Sequence, residues 1–309
     1  MKNRILILAL ILIMIDSVNG QSMQFLNLSV DARQLALGNS GYVSSDNSFA
    51  VFQNMAVSMF DETRPIQVGV SYMSWQPTVS NSNNVSFAGL YKFKKFTLGA
   101  GLRHIKYREE LVVDDLGNSG STEIRFMPVD YAIDMGMGYR LSDIFTIGGT
   151  IRYVSSDLGA IQRASVFAAD LSLLYNKDNL SVGFGFTNLG TKADYGNGQN
   201  QLPLRFRSGL TYEVLSSELH KIIGVADVSY QLVQGASGFI GGAGVDYGFK
   251  DLLFFRTGYH FEQKNIGASY GTCGLGVSLR GLTLDLSYLI ASKNSPVSQS
   301  AAVSLGWKF

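Results

Sequence analysis

Val129-Asp130-Tyr131-Ala132-Ile133-Asp134-Met135-Gly136-Met137-Gly138-Tyr139-Arg140 is the stretch that decides the fold. Val129, Tyr131, Ile133, Met135, Met137 and Tyr139 fall on one parity. Asp130, Ala132, Asp134, Gly136, Gly138 and Arg140 fall on the other. Strict period-2 alternation over this length predicts a β-strand rather than a helix. One face is wholly apolar and aromatic. The other carries two aspartates and an arginine and is unsuited to lipid.

The same alternation runs outward in both directions. On the N-terminal side it covers Ile66 to Tyr72, Val85 to Phe93 and Phe96 to Leu102. Around Arg103 the parity slips, because Ile105 and Tyr107 become the apolar set, and this reads as a bulge or as the point where the strand leaves the membrane. On the C-terminal side come Phe145 to Tyr153, Phe167 to Tyr175, Leu180 to Phe186, Leu204 to Val214, Ile222 to Tyr230, Phe239 to Phe249, Leu253 to Phe261, Cys273 to Leu279, Leu282 to Ile290 and Ala301 to Phe309. These add up to about fourteen strands of the length that crosses a bilayer, and bacterial barrels have even strand numbers. Short turns such as Leu141-Ser142-Asp143 and Asn176 to Asn179 alternate with long polar loops at Glu109 to Thr122 and Asn188 to Gln201. Short turns at one end and long loops at the other are the outer-membrane arrangement. The expected fold is therefore all-β, a transmembrane antiparallel β-barrel.

Composition agrees. Of 309 residues only 16% are charged, against about 25% in an average soluble protein. Glycine is abundant at 34, and aromatics reach 12%. The net charge of +1 gives no electrostatic case for nucleic acid. The single cysteine, Cys273, excludes an intramolecular disulfide. Lys2 and Arg4 followed by the apolar run Ile5 to Ile15 read as a secretory signal over residues 1–20. That run is too short for a spanning helix, so a chain of this kind crosses a membrane only as a closed barrel.

Residues 21–60 differ from the rest. Phe25 to Ala56 is apolar, punctuated by Gly38 and Gly41, and neither a good strand nor a good amphipathic helix. It needs a surface to pack on, and the interior of a barrel formed by residues 61–309 supplies one. Its one basic residue, Arg33, is expected to be buried and paired with a lumen carboxylate, Asp130 or Asp134.

The segment resembles the N-terminal plug of FadL-type outer-membrane barrels. Asp31-Ala32-Arg33 followed by Gly38-Asn39-Ser40-Gly41 is similar to the PorV/PorQ family of type IX secretion. The plug's usual Asn-Pro-Ala reads Asn54-Met55-Ala56 here, without the proline. The Pro128 to Asp134 stretch, with Arg152 to Leu158, resembles PorV more than PorQ. The resemblance implies a non-enzymatic outer-membrane protein that binds the C-terminal signal domain of secreted cargo. It would pass that cargo to the surface attachment machinery, with other secretion-system components as partners. A FadL-like channel for hydrophobic small molecules is the alternative on the same barrel.

No chemistry competes with these readings. His104, His220 and His260 lie far apart, and no metal-ligand spacing occurs. There is no G-x-S-x-G elbow and no cofactor motif whose context holds. The candidate residues are thus plug residues Asp31, Arg33, Gly38, Gly41 and Asn54, the lumen carboxylates, and one loop. In that loop Leu111, Val112, Val113 and Leu116 are apolar residues in polar surroundings and want cover. They are the expected anchors for a partner. Tyr195 and Leu202 are the corresponding candidates of the second long loop.

Overall fold

The computed structural model describes residues 23–44, 47–59, 64–111, 125–159, 163–196 and 198–309. The expected signal segment, residues 1–20, and the loop residues Val112, Val113 and Leu116 lie outside the described residues. Leu111 is described at the backbone, where Glu110–Leu111 pairs with Arg125–Phe126.

Fourteen antiparallel strands close into one barrel. They are Ile66–Trp75, Ser82–Phe93, Phe96–Lys106, Val129–Arg140, Phe145–Asp157, Arg163–Lys177, Leu180–Gly190, Arg205–Ser216, His220–Gln231, Gly238–Phe249, Leu253–Glu262, Tyr270–Leu279, Leu282–Ile290 and Ala301–Lys308. Each pairs with its neighbours in sequence, and the first pairs with the last from Gln67 opposite Lys308 to Ser74 opposite Ala301. The wall has no free edge, which is what lipid demands of a β-structure.

Parity holds along the strands away from two register shifts. Phe87, Leu98, Ile133, Met135, Ile151 and Phe167 point outward and are exposed, whereas Ser86, Thr97, Asp134, Arg152 and Asp170 point inward and are buried. Aromatic pairs ring both ends of this apolar band. Phe96 and Tyr139 (centroids 4.8 Å apart), Phe145 and Tyr175 (5.4 Å) and Trp307 and Phe309 (4.8 Å) lie at the short-turn end. Tyr153 and Phe167 (5.3 Å) and Tyr230 and Phe239 (4.8 Å) lie at the long-loop end. Two such belts mark the interfaces of a membrane-spanning wall.

The slip expected at Arg103 does not occur. Phe96–Lys106 pairs without a register shift on either side, and Arg103 points into the lumen like Gly99 and Gly101. Ile105 also points inward. It is apolar because it packs on Phe25 and Leu26 rather than because the chain has changed face. The register shifts lie elsewhere, between Ala169 and Leu171 and between Glu213 and Leu215.

The lumen is filled by the N-terminal segment. It enters at the long-loop end as a 3-10 turn, Gln24–Asn27, and continues through a short α-helix, Ala32–Ala36. It leaves through two further 3-10 turns, Ser48–Phe52 and Met55–Met59, at the short-turn end. Phe49, Ala50, Val51, Phe52, Met55 and Ala56 are buried together against Ala88, Leu90 and Leu174 of the wall.

Candidate functional site

Plug and wall meet through side chains that the strands aim inward and through close backbone approaches. Asp31 caps the Ala32–Ala36 helix by accepting from Arg33 N (3.0 Å), and its other oxygen accepts from Asn47 Nδ2 (2.7 Å). Ala32 N donates to Ser304 Oγ (2.9 Å) on the last strand. Thr272 Oγ1 donates to Ala36 O (2.8 Å) and accepts from Gly38 N (2.9 Å).

Gly38 has φ 74°, and a Cβ there would stand 2.5 Å from the Tyr259 carbonyl oxygen. Only glycine fits both the left-handed backbone and the wall. Gly41 N and Tyr42 N both donate to Asp227 Oδ2, at 3.0 and 2.9 Å. Asn54 donates to Tyr42 O (2.8 Å) and accepts from Ala56 N (3.0 Å). These two bonds fix the turn that the family's proline would otherwise stiffen.

At mid-depth Arg152 gathers the wall's acids. Its Nε donates to Asp134 Oδ1 (2.5 Å), its Nη2 to Asp170 Oδ2 (2.8 Å) and its Nη1 to Asn188 Oδ1 (2.5 Å). Its Nη2 also reaches the plug carbonyl of Phe52 (3.4 Å). Arg103 takes the other oxygen of Asp134 (3.2 Å) and lies over the Phe52 ring, 5.1 Å from its centroid. Arg207, 3.5 Å from Asp227, covers the ring of Tyr42 at 4.5 Å. Across the lumen Arg256 donates to Asp285 Oδ1 (2.6 Å). Its Nε stands 3.0 Å from Asp246 Oδ1, close enough for charge attraction but out of line for a hydrogen bond.

Arg33 does not pair with either of its expected partners. Arg33 Nε donates to Asp246 Oδ2 (3.3 Å), and neither Asp130 nor Asp134 receives it. The Ala32–Ala36 helix lies against the strands that run from Leu253 to Lys308, across the lumen from Val129–Arg140. Asp134 is taken by Arg103 and Arg152, and Asp130 accepts from Tyr107 OH (2.7 Å) near the outer end. Burial beside Asp130 pushes the Tyr107 hydroxyl above its ordinary range, so it stays a donor at any physiological pH. Arg33 is also less buried than expected. Its side chain is 21% exposed, towards a cavity of about 270 Å³ at the short-turn end.

Two inward residues escaped the sequence reading. Arg103 was hidden by the apolar Ile105 beside it, although its parity with Gly99 and Gly101 was a readable signal. Asn188 was assigned to a loop, but Leu180–Gly190 extends past it, and the register shift there, with Asn188 at φ 62°, turns it inward to Arg152. Tyr195 and Leu202, proposed anchors of the second long loop, are buried against the plug's Phe25 and Leu26 and the wall's Val166. They are covered by the protein's own rim. Among the described residues no group of three His, Cys, Asp or Glu side chains is placed to hold a metal ion.

At the long-loop end the packing opens. A cavity of about 530 Å³ lies above the plug, with Phe25 and Leu28 beneath it and Trp75, Tyr270 and Val297 at its sides.

Residues 16–237 match the family described as type IX secretion system protein PorV. The chain belongs to the PorV family. No curated protein gives a significant match. Among solved structures, the Pseudomonas putida toluene transporter TodX is similar, with TM-score 0.61 and 13% identity over 89% of this chain and 97% of that one. The Ralstonia pickettii toluene transporter TbuX gives 0.63 and 14% over the same shares. A Pseudomonas aeruginosa FadL homologue gives 0.53 and 10%, over 91% and 99%. At these identities the likeness concerns the fold, which is FadL-like. Barrel and PorV family together indicate a bacterial outer-membrane protein of type IX secretion.

Proposed function

We propose that this PorV-family barrel binds the C-terminal signal domain of secreted cargo at its outer rim and hands the cargo to the surface attachment machinery. The single observation that carries this reading is the contrast within the lumen. Its middle is closed by hydrogen bonds that Arg152 and Arg103 of the wall donate to the Phe52 and Leu26 carbonyls of the plug, while its outer mouth keeps a large cavity. A folded domain docking at a rim needs no pore. The long loop holding Leu111, Val112, Val113 and Leu116 supplies the apolar anchors, as a few buried side chains do in most protein interfaces.

The test is pull-down with a tagged full-length protein, intact and with residues 112–124 replaced by a short Gly-Ser linker. The intact barrel is expected to recover secreted proteins bearing the signal domain, and the shortened one to lose most of them while still assembling. Recovery that is undiminished removes the loop from the interface. No recovery with the intact protein ends the cargo reading.

The alternative is a channel for hydrophobic small molecules, motivated by the toluene transporters that share the fold. It predicts toluene flux into proteoliposomes above that of empty vesicles. The filled lumen speaks against it.

A further inference from the structure

Among the described residues four arginines are buried: Arg103, Arg152, Arg205 and Arg256. Three of them hold carboxylates: Arg103 and Arg152 share Asp134, Arg152 adds Asp170, and Arg256 holds Asp285. Arg205 forms no ion pair among the described residues. Its Nε donates to Gln231 Oε1 (3.2 Å), and with the Asn27 amide turned towards it, the amide oxygen accepts from its Nη2 at 3.0 Å. Both partners are neutral. Glu262 attracts Arg205 through space without a direct ion pair, whereas this wall gives each of its other buried arginines a directly paired aspartate.

Arg205 stands at the outer end of its strand and lines the 530 Å³ rim cavity. That volume falls within the roughly 300–1,000 Å³ of pockets that take drug-sized ligands. Trp75 and Tyr270 stand edge to face at 6.4 Å on one side, and Lys264 adds a second positive charge. Glu262, the acidic residue on the lining, is engaged by His260 Nε2 at 3.0 Å. The site therefore presents a buried guanidinium, a lysine, aromatic walls and one carboxylate, Glu262, which His260 holds.

We propose that this cavity takes the C-terminal end of an extended peptide, with the terminal carboxylate paired to Arg205. This rests on the reading that the barrel receives a cargo signal domain, and adds which end of that domain is recognised. A carboxylate on a guanidinium forms charge-assisted hydrogen bonds about twice as strong as neutral ones. It would displace the Gln231 and Asn27 oxygens from Arg205. The lining also carries Gln76, Ser80 and Asn265, whose amides and hydroxyl match a peptide backbone and have nothing to offer a hydrocarbon tail.

The experiment uses the full-length protein in detergent and one folded signal domain prepared in two forms, with a free C-terminal carboxylate and with a C-terminal amide. The acid is expected to bind about tenfold or more tightly than the amide, as for loss of one member of a desolvated charge pair. Arg205→Gln should remove the difference, and Arg205→Lys should keep part of it. The acid–amide comparison on the unaltered barrel needs no variant, so a misfolded Arg205→Gln cannot hide the answer. Equal binding of the two forms overturns the inference and leaves the cargo reading standing. Binding of neither form ends both. If sodium decanoate binds in an Arg205-dependent manner while the two forms do not differ, the occupant is a free carboxylic acid and the peptide assignment is overturned.

Discussion

Asp134 is 0% exposed and is held by Arg103 and Arg152 from two neighbouring strands. Removing Asp134 strands Arg103, and removing Arg152 strands Asp170, each at a cost of about 3–5 kcal/mol. Asp134→Ala and Arg152→Ala are therefore expected to lower the temperature at which the folded, fast-migrating form is lost on gels, and Arg152→Ala also frees the plug carbonyl at Phe52. Arg33 behaves differently. It is partly exposed, and Asp246 keeps Arg256 when Arg33 is removed. Arg33→Ala should shift stability by about 1 kcal/mol or less, whereas Asp246→Ala, which takes a carboxylate from both Arg33 and the buried Arg256, should cost more. Thermal transitions of the four single variants, measured side by side, check the order. That Arg33 faces a carboxylate was legible in the sequence, because a lone arginine in an apolar segment inside a barrel requires one. Which carboxylate was not legible. Parity places Asp130, Asp134, Asp170, Asp227, Asp246 and Asp285 alike on the inner face, and only the position of the Ala32–Ala36 helix around the circumference selects Asp246.

At the scale of elements the plug depends on backbone fit as much as on charge. Gly38→Val puts a branched side chain where a Cβ already meets the Tyr259 and Ala243 carbonyls, on backbone that disfavours it. The helix and the turn after it should shift, at a cost of about 1–3 kcal/mol. Cleavage of the N-terminal segment by added protease should then quicken with the barrel intact. The strands were legible from alternation alone, and their number was read as it stands. Their ends were less so: Phe145–Asp157 and Arg163–Lys177 extend beyond the apolar residues that announce them. The extensions are Ser- and Ala-rich and carry no alternation signal, because their inner face packs on the plug's Phe25 and Leu26. The polar look of the second long loop misled for a related reason. Tyr195 and Leu202 pack inward on that same cluster, a tertiary contact that no local pattern announces.

For the whole molecule, the outward apolar face between two aromatic belts predicts recovery in the outer-membrane fraction, with heat-modifiable mobility. Recovery as a soluble periplasmic protein would contradict the barrel's spanning a bilayer. The plug's bonds fall on both sides of the seam where the first strand meets the last. Ser48 and Phe49 press on Gly69 of the first strand, while Ala32 is bonded to Ser304 of the last. This bears on the order of assembly. The segment that leads the chain docks on strands made at the end of synthesis, and the mouth of a finished cylinder is no route for threading it. The wall must curl around an already collapsed leader, which then acts as a template drawing Ala301–Lys308 towards Ile66–Trp75. A chain lacking residues 23–59 should accordingly stall as an unclosed sheet on the insertion machinery, and pulse-chase analysis should show closure slowed even where the fourteen strands are intact.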